Sequence, residues 1–342
     1  MKGILADFQP DFSYYEYPGG SHWYSNESVD WKPLFDYFRW HLRKIDTAVN
    51  NIDFITANPG ISASYYWTTI YQQQQPLEYS RVVLTRDLLS GIIEGNTENV
   101  GVLQLVLKDF QIGQSIQIKV DSLQPLTHIV RSLNESLFIQ KNENAWRVIP
   151  RPSLQEKGPH RNGTFKEAFN HRMVYVYGTK GNAEENKWAL EKARYDAESW
   201  YYRGNGAFDI ISDDDFEPSV YAERNVILIG NAKTNSAWST LLADCPITVD
   251  PSGVSMGNKR YEGEDLGGYF VWKKPGSDIH SVGVITGTGV NGMRAATANQ
   301  YFAGASGFPD YMFFRLGMLK NGPQELTDAG FYSNLWELAQ PK

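Results

Sequence analysis

The clearest pattern in the chain runs from Met173 to Tyr202. Met173–Tyr177 is an apolar run too short, and too rich in β-branched and aromatic residues, to be a helix. Gly178–Gly181 supplies a turn, and Glu184–Tyr202 then sets Trp188, Ala189, Ala193, Ala197 and Trp200 on one helical side. This is a buried strand, a tight turn and a crossover helix, the unit from which parallel α/β layers are built. Similar units recur at Val226–Leu242 and Val282–Phe302. Further strands are predicted at Ala207–Ile211, Asn225–Ile229, Ile247–Val249, Gly268–Trp272 and Tyr311–Phe314, with a short helix at Gly163–Phe169 and helices at Asn235–Leu242 and Met293–Phe302. Asn235 is a good N-cap for its helix. Residues 151–320 are therefore expected to form a three-layer α/β/α, Rossmann-like domain with a mostly parallel sheet. Residues 321–342 remain as a carboxy-terminal tail.

Upstream the period changes from helical to alternating. Runs at Asn51–Thr56, Ser64–Tyr71, Arg81–Thr85, Gly91–Glu94, Val100–Leu107, Ser115–Val120, Ser136–Gln140 and Ala145–Val148 are separated by turn-forming stretches such as Asn58-Pro59-Gly60 and Asp109–Gly113. Short strands at this spacing make residues 47–150 a β-sandwich. Gln72–Pro76 reads as a loop. Trp67 and Tyr71 are candidates for a sugar-stacking face, but strand spacing favours the core for both.

The first 46 residues form a third pattern. Phe12–Tyr17 (FSYYEY) is strand-like, Pro18-Gly19-Gly20-Ser21-His22-Trp23 is a Gly-rich loop with one histidine, and Asp30–Leu42 is an amphipathic helix. In that helix Trp31, Leu34, Phe35, Phe38 and Leu42 share a face, Asp30 is the expected N-cap, and Pro33 falls in the first turn.

Composition narrows the classes. The chain has 342 residues, 42% hydrophobic and 21% charged, with a net charge of −7. That is ordinary globular material with no basic face expected for nucleic acid. No apolar run is long enough to span a bilayer, and the opening MKGILADFQPDF lacks the apolar core of a signal peptide. The single cysteine, Cys245, rules out an internal disulfide and any Cys-rich metal site; beside Pro246 it reads as a buried filler. Cysteine poverty fits both the cytosol and the bacterial periplasm.

Several motifs carry possible chemistry. Gly287-Thr288-Gly289-Val290-Asn291-Gly292 is a literal G-x-G-x-x-G between a strand and a helix, the pattern that binds NAD or flavin dinucleotides. It sits late in its domain, lacks the acidic residue at the end of the next strand, and is followed by a single short strand. A close-packing Gly turn is the reading kept. Gly178–Asn182 lacks the Walker pattern, and Glu184 and Glu185 already complement its helix dipole. Asp213-Asp214-Asp215 is a solvated turn, because consecutive carboxylates cannot all face one ion. Lys157, His160, Arg161, His171 and Arg172 form a small basic group, read as surface, with carboxylate binding as the alternative. No cofactor and no metal is expected.

The loop and helix around His22 resemble the carboxy-terminal end of an α/β-hydrolase, more narrowly a prolyl-oligopeptidase-like serine hydrolase. There a P-G-x-x-H-x loop carries the triad histidine and a helix closes the fold. The resemblance implies that residues 1–46 are a terminal strand-helix remnant of such a hydrolase, and that His22 is its general base. A nucleophile elbow, G-x-S-x-G, occurs nowhere in the sequence. By the family's serine–acid–histidine order, the serine and acid would belong to a missing or separately encoded amino-terminal hydrolase portion. The stretches YGTKGNAEENKWALEKARYDAESWYYRGNG, NVILIGNAKTNSAWSTLL and VGVITGTGVNGM are similar to the extra carboxy-terminal region of some large bacterial members. The expectation is an accessory part of a serine hydrolase, peptidase or esterase, not catalytically complete in this chain. The alternative is a small-ligand- or carbohydrate-binding module. A complete enzyme of another type would need a cleft joining groups such as His160, Arg203 and Asp209.

Overall fold

The computed structural model describes residues 2–9, 11–14, 16, 18–21, 32–304 and 307–338. The chain divides into two compact units, Met1–Asn50 and Asn51–Lys342. It is a mixed α/β protein with more strand than helix, and no helix among the described residues is long and apolar enough to cross a membrane.

The first unit holds helices α1 (Lys2–Phe8) and α2 (Lys32–Trp40). The described residues of the FSYYEY run, Phe12, Ser13, Tyr14 and Glu16, are not paired into a strand. The second helix keeps Pro33 in its first turn as expected, but it ends before Leu42, and none of its residues is buried. Phe35 and Phe38 stay 63% and 57% exposed. The unit is tied by His41, whose ring stacks on Tyr37 and whose Nε2 lies 2.9 Å from the Asp11 carboxylate.

The second unit opens with ten strands: β1 (Asn51–Thr56), β2 (Ser64–Tyr65), β3 (Thr68–Gln73), β4 (Ser80–Asp87), β5 (Ile92–Glu98), β6 (Val100–Val106), β7 (Ser115–Val120), β8 (Leu126–Ile129), β9 (Ser136–Lys141) and β10 (Trp146–Ile149). They form two five-stranded sheets, β1-β4-β5-β7-β8 and β10-β9-β6-β3-β2. All pairs are antiparallel except β5 with β7. Alternate residues of β4, including Val82 and Leu84, are buried while their neighbours face outward, which is the period that made these strands legible.

Two readings fail here. The single run Ser64–Tyr71 is a hairpin: Tyr65 pairs with Thr68, and Tyr66 takes a left-handed backbone at φ 52°. Gln72 and Gln73 are buried strand residues rather than loop, because their amides find carbonyls at Lys157 and Glu78. Strand β8 went unread, since Pro125 and the mixed sequence Leu-Thr-His-Ile hide its alternation.

The remaining elements are β11 (Met173–Tyr177), α3 (Ala183–Gly204), β12 (Asp209–Ser212), β13 (Asn225–Ile229), α4 (Trp238–Leu241), β14 (Ile247–Asp250), β15 (Gly253–Met256), β16 (Lys259–Glu262), β17 (Leu266–Lys273), β18 (Ser281–Gly287), α5 (Gly289–Ala295), β19 (Tyr311–Arg315), α6 (Met318–Asn321) and β20 (Leu326–Gly330). A seven-stranded sheet runs β12-β11-β13-β18-β17-β19-β20. Its first four strands are parallel, and its last three alternate in direction. The sheet is thus half parallel rather than mostly so, because β17 and β18 form an antiparallel hairpin. Strand β14 leaves this sheet altogether and builds a small antiparallel one with β15 and β16, joined by the short turns at Pro251-Ser252 and Gly257-Asn258. Strand β20 and the buried Tyr332 and Trp336 put much of the stretch after residue 320 into the core.

Helix α3 begins at a capping box, Asn182 with Glu185, and ends at Asn205 in the left-handed region. Its inner face buries Ala189 and Ala193 as expected, and also a pair the hydrophobic pattern hides. Lys192 lies 2.7 Å from Asp196, both buried, and the hydroxyls of Tyr175 and Tyr301 donate to the same carboxylate. Removing one member would leave an unpaired buried charge. Helix α4 is a single turn, shorter than expected, and the region expected as one helix over Met293–Phe302 is α5 followed by a separate turn at Gln300–Phe302.

The G-x-G-x-x-G stretch is where α5 meets the sheet. A Cβ on Gly287 would lie 2.2 Å from Met293 N, and one on Gly292 would lie 2.1 Å from the Leu266 carbonyl oxygen. Both glycines serve backbone-to-backbone packing. Gly292→Ala is expected to destabilise the protein by at least about 2 kcal/mol, since a backbone carbonyl has nowhere to retreat. Gly204→Ala, with nothing within 4 Å of the new methyl, is expected to be neutral or slightly stabilising. Urea unfolding of both variants checks the contrast.

Candidate functional site

His22 lies outside the described residues, so its geometry carries no argument. Cys245 behaves as a filler: the residue is half-buried, and burial of its thiol pushes the pKa up to about 12, the opposite of a reactive thiolate.

In a parallel α/β sheet, ligands bind beyond the carboxyl ends of the strands, where the chain order reverses. Here that point lies between β11, with β12 on one side, and β13 on the other. The crevice is filled by the protein itself. Asn235 Nδ2 donates to the carbonyls of Val176 and Ile229, both at 3.0 Å, bridging the ends of β11 and β13. Asn231 Nδ2 donates to Gly287 at 2.9 Å, closing the next gap toward β18. A Cβ on Gly178 would lie 2.3 Å from the Thr234 carbonyl oxygen, so the Gly turn after β11 is a packing corner.

The neighbouring polar groups are also spoken for. Gly181 N donates to Asn186, Thr179 Oγ1 donates to Asp213 at 2.6 Å, and Lys180 pairs with Asp214. Asp213 is buried rather than solvated, because its second oxygen accepts the Ser236 N–H at 2.6 Å. Asp215 turns to Ser212. The three consecutive acids thus diverge, Asp213 and Asp214 sharing only Thr179.

His160, Arg203 and Asp209 are not brought together. His160 donates to the Leu154 carbonyl, Asp209 pairs with Arg224, and Arg203 is exposed in the last turn of α3. Among the described residues no hydrogen bond or ion pair joins the three.

The polar groups that do converge sit at the opposite, amino ends of the strands. Residues 157–170 run there between the β sheets and the seven-stranded sheet. Of the basic group expected on the surface, only His171 and Arg172 are exposed; Lys157 and Arg161 are buried. Lys157 Nζ lies 2.5 Å from Asp310, and the carbonyl of Lys157 accepts Gln72 from β3. Arg161 donates to the carbonyls of Ser277, His280 and Leu154.

Two buried carboxylates shape the corner between them. Glu167 Oε2 accepts the N–H groups of Asn162 and Gly163 at 2.5 and 2.6 Å, and Asp310 Oδ1 accepts that of Thr164 at 2.6 Å. Gly163 and Thr164 both adopt positive φ, 89° and 62°. For a β-branched threonine this backbone is strained, and such strain persists only where surroundings over-determine it. Glu167 Oε1 accepts Ser281 Oγ at 2.8 Å, while Asn225 donates to the Glu167 and Ala168 carbonyls. The first residues of β13 and β18 are thereby fastened to the turn.

Two adjoining cavities flank Glu167, of about 380 and 410 Å³, and both also reach Gly60 and Ile61 on the β1–β2 loop. The first is walled by rings including Phe169, Trp200 and Phe302; the second by His160, Arg161 and His171. Sequence reading passed over Glu167 and Asp310. The available signals were an acid set between phenylalanines in Phe165-Lys166-Glu167-Ala168-Phe169, and the preceding Asn162-Gly163-Thr164.

Compared with known proteins, the chain matches no family model and no curated protein.

Burial pushes the Glu167 carboxyl up to about 7, against the pull of its three hydrogen-bond donors. A carboxyl raised in the folded state keeps its proton after the unfolded chain has lost it. Stability should therefore fall as pH rises from the unfolded value, near 4.5, to about 7, and be level above. The full effect is on the order of 3 kcal/mol. Glu167→Gln should remove that slope while keeping an acceptor for the corner. Urea unfolding between pH 4.5 and 8 measures it, and parallel profiles for the two proteins would show that Glu167 does not titrate there.

Proposed function

We propose that the chain is an accessory carboxy-terminal part of a serine hydrolase, a peptidase or esterase, without a complete active site of its own. One observation carries the reading: the carboxyl-end crevice of the parallel strands, where such a sheet would hold substrate, is closed by Asn231 and Asn235. In this reading residues 47–150 are a β-sandwich module and 151–320 a three-layer, Rossmann-like domain. Residues 1–46 are then the closing remnant of the hydrolase fold. The paired five-stranded sheets, and the mixed sheet with α3 and α5 packed on it, are in keeping with those assignments. His22 would serve as general base for a serine and an acid carried on a separate hydrolase portion.

A second reading, a ligand-binding module without catalysis, is favoured by the cavities beside Glu167. Its carbohydrate version is disfavoured by the two rings proposed for it. Trp67 is buried under the Arg86 guanidinium, and Tyr71 packs edge-on against Phe138.

A fluorophosphonate serine probe tests the first reading. This chain alone should remain unlabelled, and labelling of any of its own serines would overturn the proposal. A hydrolase portion bearing G-x-S-x-G, joined to or mixed with the chain, should label and should lose labelling on His22→Ala. Undiminished labelling of that portion would remove His22 from the mechanism.

A further inference from the structure

The cleft at the amino ends of the strands has the attributes of a built site. It lies between two packed substructures, the usual place for ligand cavities, and its two lobes of about 380 and 410 Å³ are within the range that holds small molecules. Gly163 and Thr164, held in a strained backbone by two buried carboxylates, line the first lobe. Its rim is Ile61, an apolar side chain left 73% exposed beside the opening.

The lining also selects a ligand by charge. The lobe of His160 and His171 holds one permanent cation, Arg161, beside the Glu167 carboxyl; burial favours the neutral form of His160, whose Nε2 donates to the Leu154 carbonyl, and Lys166 lines the other lobe. That carboxylate, Glu167, already accepts from Asn162, Gly163 and Ser281, so it has little left to offer a cationic guest. Among the described residues Arg161 is bonded to carbonyl oxygens, and Glu167 and Asp278 act on its positive charge from a distance rather than in an ion pair. The exposed His171 ring brings a donor to the mouth of the same lobe. The other lobe is aromatic. Phe169 is buried, Trp200 is half-buried, and Phe302 stacks edge-on against Phe169 at 5.1 Å.

We propose that this cleft binds a small monocarboxylate bearing an aromatic or branched apolar group. The carboxylate lies in the lobe of His160, Arg161 and His171, and the apolar group lies against Phe169, Trp200 and Phe302. Burial of the apolar group supplies most of the affinity, and the cationic lobe sets the preference for acid over neutral analogue. The proposal deepens the ligand-binding reading and does not depend on the hydrolase one: the fluorophosphonate result can go either way without moving it.

Isothermal titration of the whole chain with N-acetylphenylalanine and with its neutral amide tests it at neutral pH. Saturable binding of the acid is expected, with the amide weaker by about tenfold. His171→Gln should erase most of that preference while leaving amide binding nearly unchanged. Trp200→Leu should weaken both compounds alike. Both side chains are at least partly exposed, so the variants are expected to keep the parent's thermal transition. Absence of saturable binding by the acid, equal affinity for acid and amide, or an unchanged preference in the His171 variant would each overturn the proposal.

Discussion

The seam of the larger unit depends on one constraint: two carboxylates inside the protein each hold backbone N–H groups of a corner that would not otherwise adopt its shape. Glu167 and Asp310 together take three successive N–H groups, from Asn162 to Thr164. Without those acceptors the donors would be orphaned in a dry interior, at about 1–3 kcal/mol each. With them, a threonine is kept at a φ of 62°. The same carboxylates reach outward. Asp310 also takes Lys157 and the Tyr332 N–H, while Glu167 takes Ser281 at the start of β18. One corner thus ties the loop before the sheet to its central strand, its far strand and the segment following it.

This leaves the cavities at an unexpected end of the sheet. Parallel strands usually offer their carboxyl ends to ligands, because the loops there diverge and the helix amino termini point in. In this chain the loop after β13 folds back, and Asn231 and Asn235 spend their amides on strand carbonyls. Those bonds satisfy buried carbonyls that a ligand or water would otherwise have to meet. The glycines that look like a nucleotide cradle are consumed in bringing α5 against Leu266. Openness has moved to the amino ends, where Asn58 of the β1–β2 loop meets Asn162 and the two cavities remain.

What could be read beforehand follows from the range of the forces involved. Local periodicity located β11, β13, β18 and α3 almost to the residue, because a fully buried strand and a capped amphipathic helix are specified by neighbours in sequence. Local signals also explain the errors. The Ser64–Tyr71 run hides a turn because nothing in a tyrosine announces a left-handed φ, and β8 hides because its inward position is a histidine rather than an apolar residue. The candidate site was almost entirely illegible. Glu167 and Asp310 stand 143 positions apart in numbering, and Lys157 reaches Asp310 across an interval of 153. No window on the sequence contains such a pairing. The basic group was noticed, but whether Lys157 and Arg161 face water depends on Asp310, Ser277 and His280, which only folding brings near.

The buried charges of the two regions make a final distinction. Lys192 and Asp196 lie one turn apart on α3 and share Tyr301 as a partner, while Tyr175 donates to Asp196 alone. Each is balanced by the other, so the arrangement is closed and has nothing to offer a guest. The groups around Glu167 are not balanced in that way. Arg161 ends on carbonyls, which stabilise its charge without neutralising it, and Glu167 ends on neutral donors while its burial favours the protonated form. A protein that only needed rigidity at this seam could have paired the two directly. Arg161 and Glu167 instead line one cavity with no hydrogen bond or ion pair between them among the described residues, and an uncontacted charge at a low-dielectric cavity is what an anionic ligand recognises.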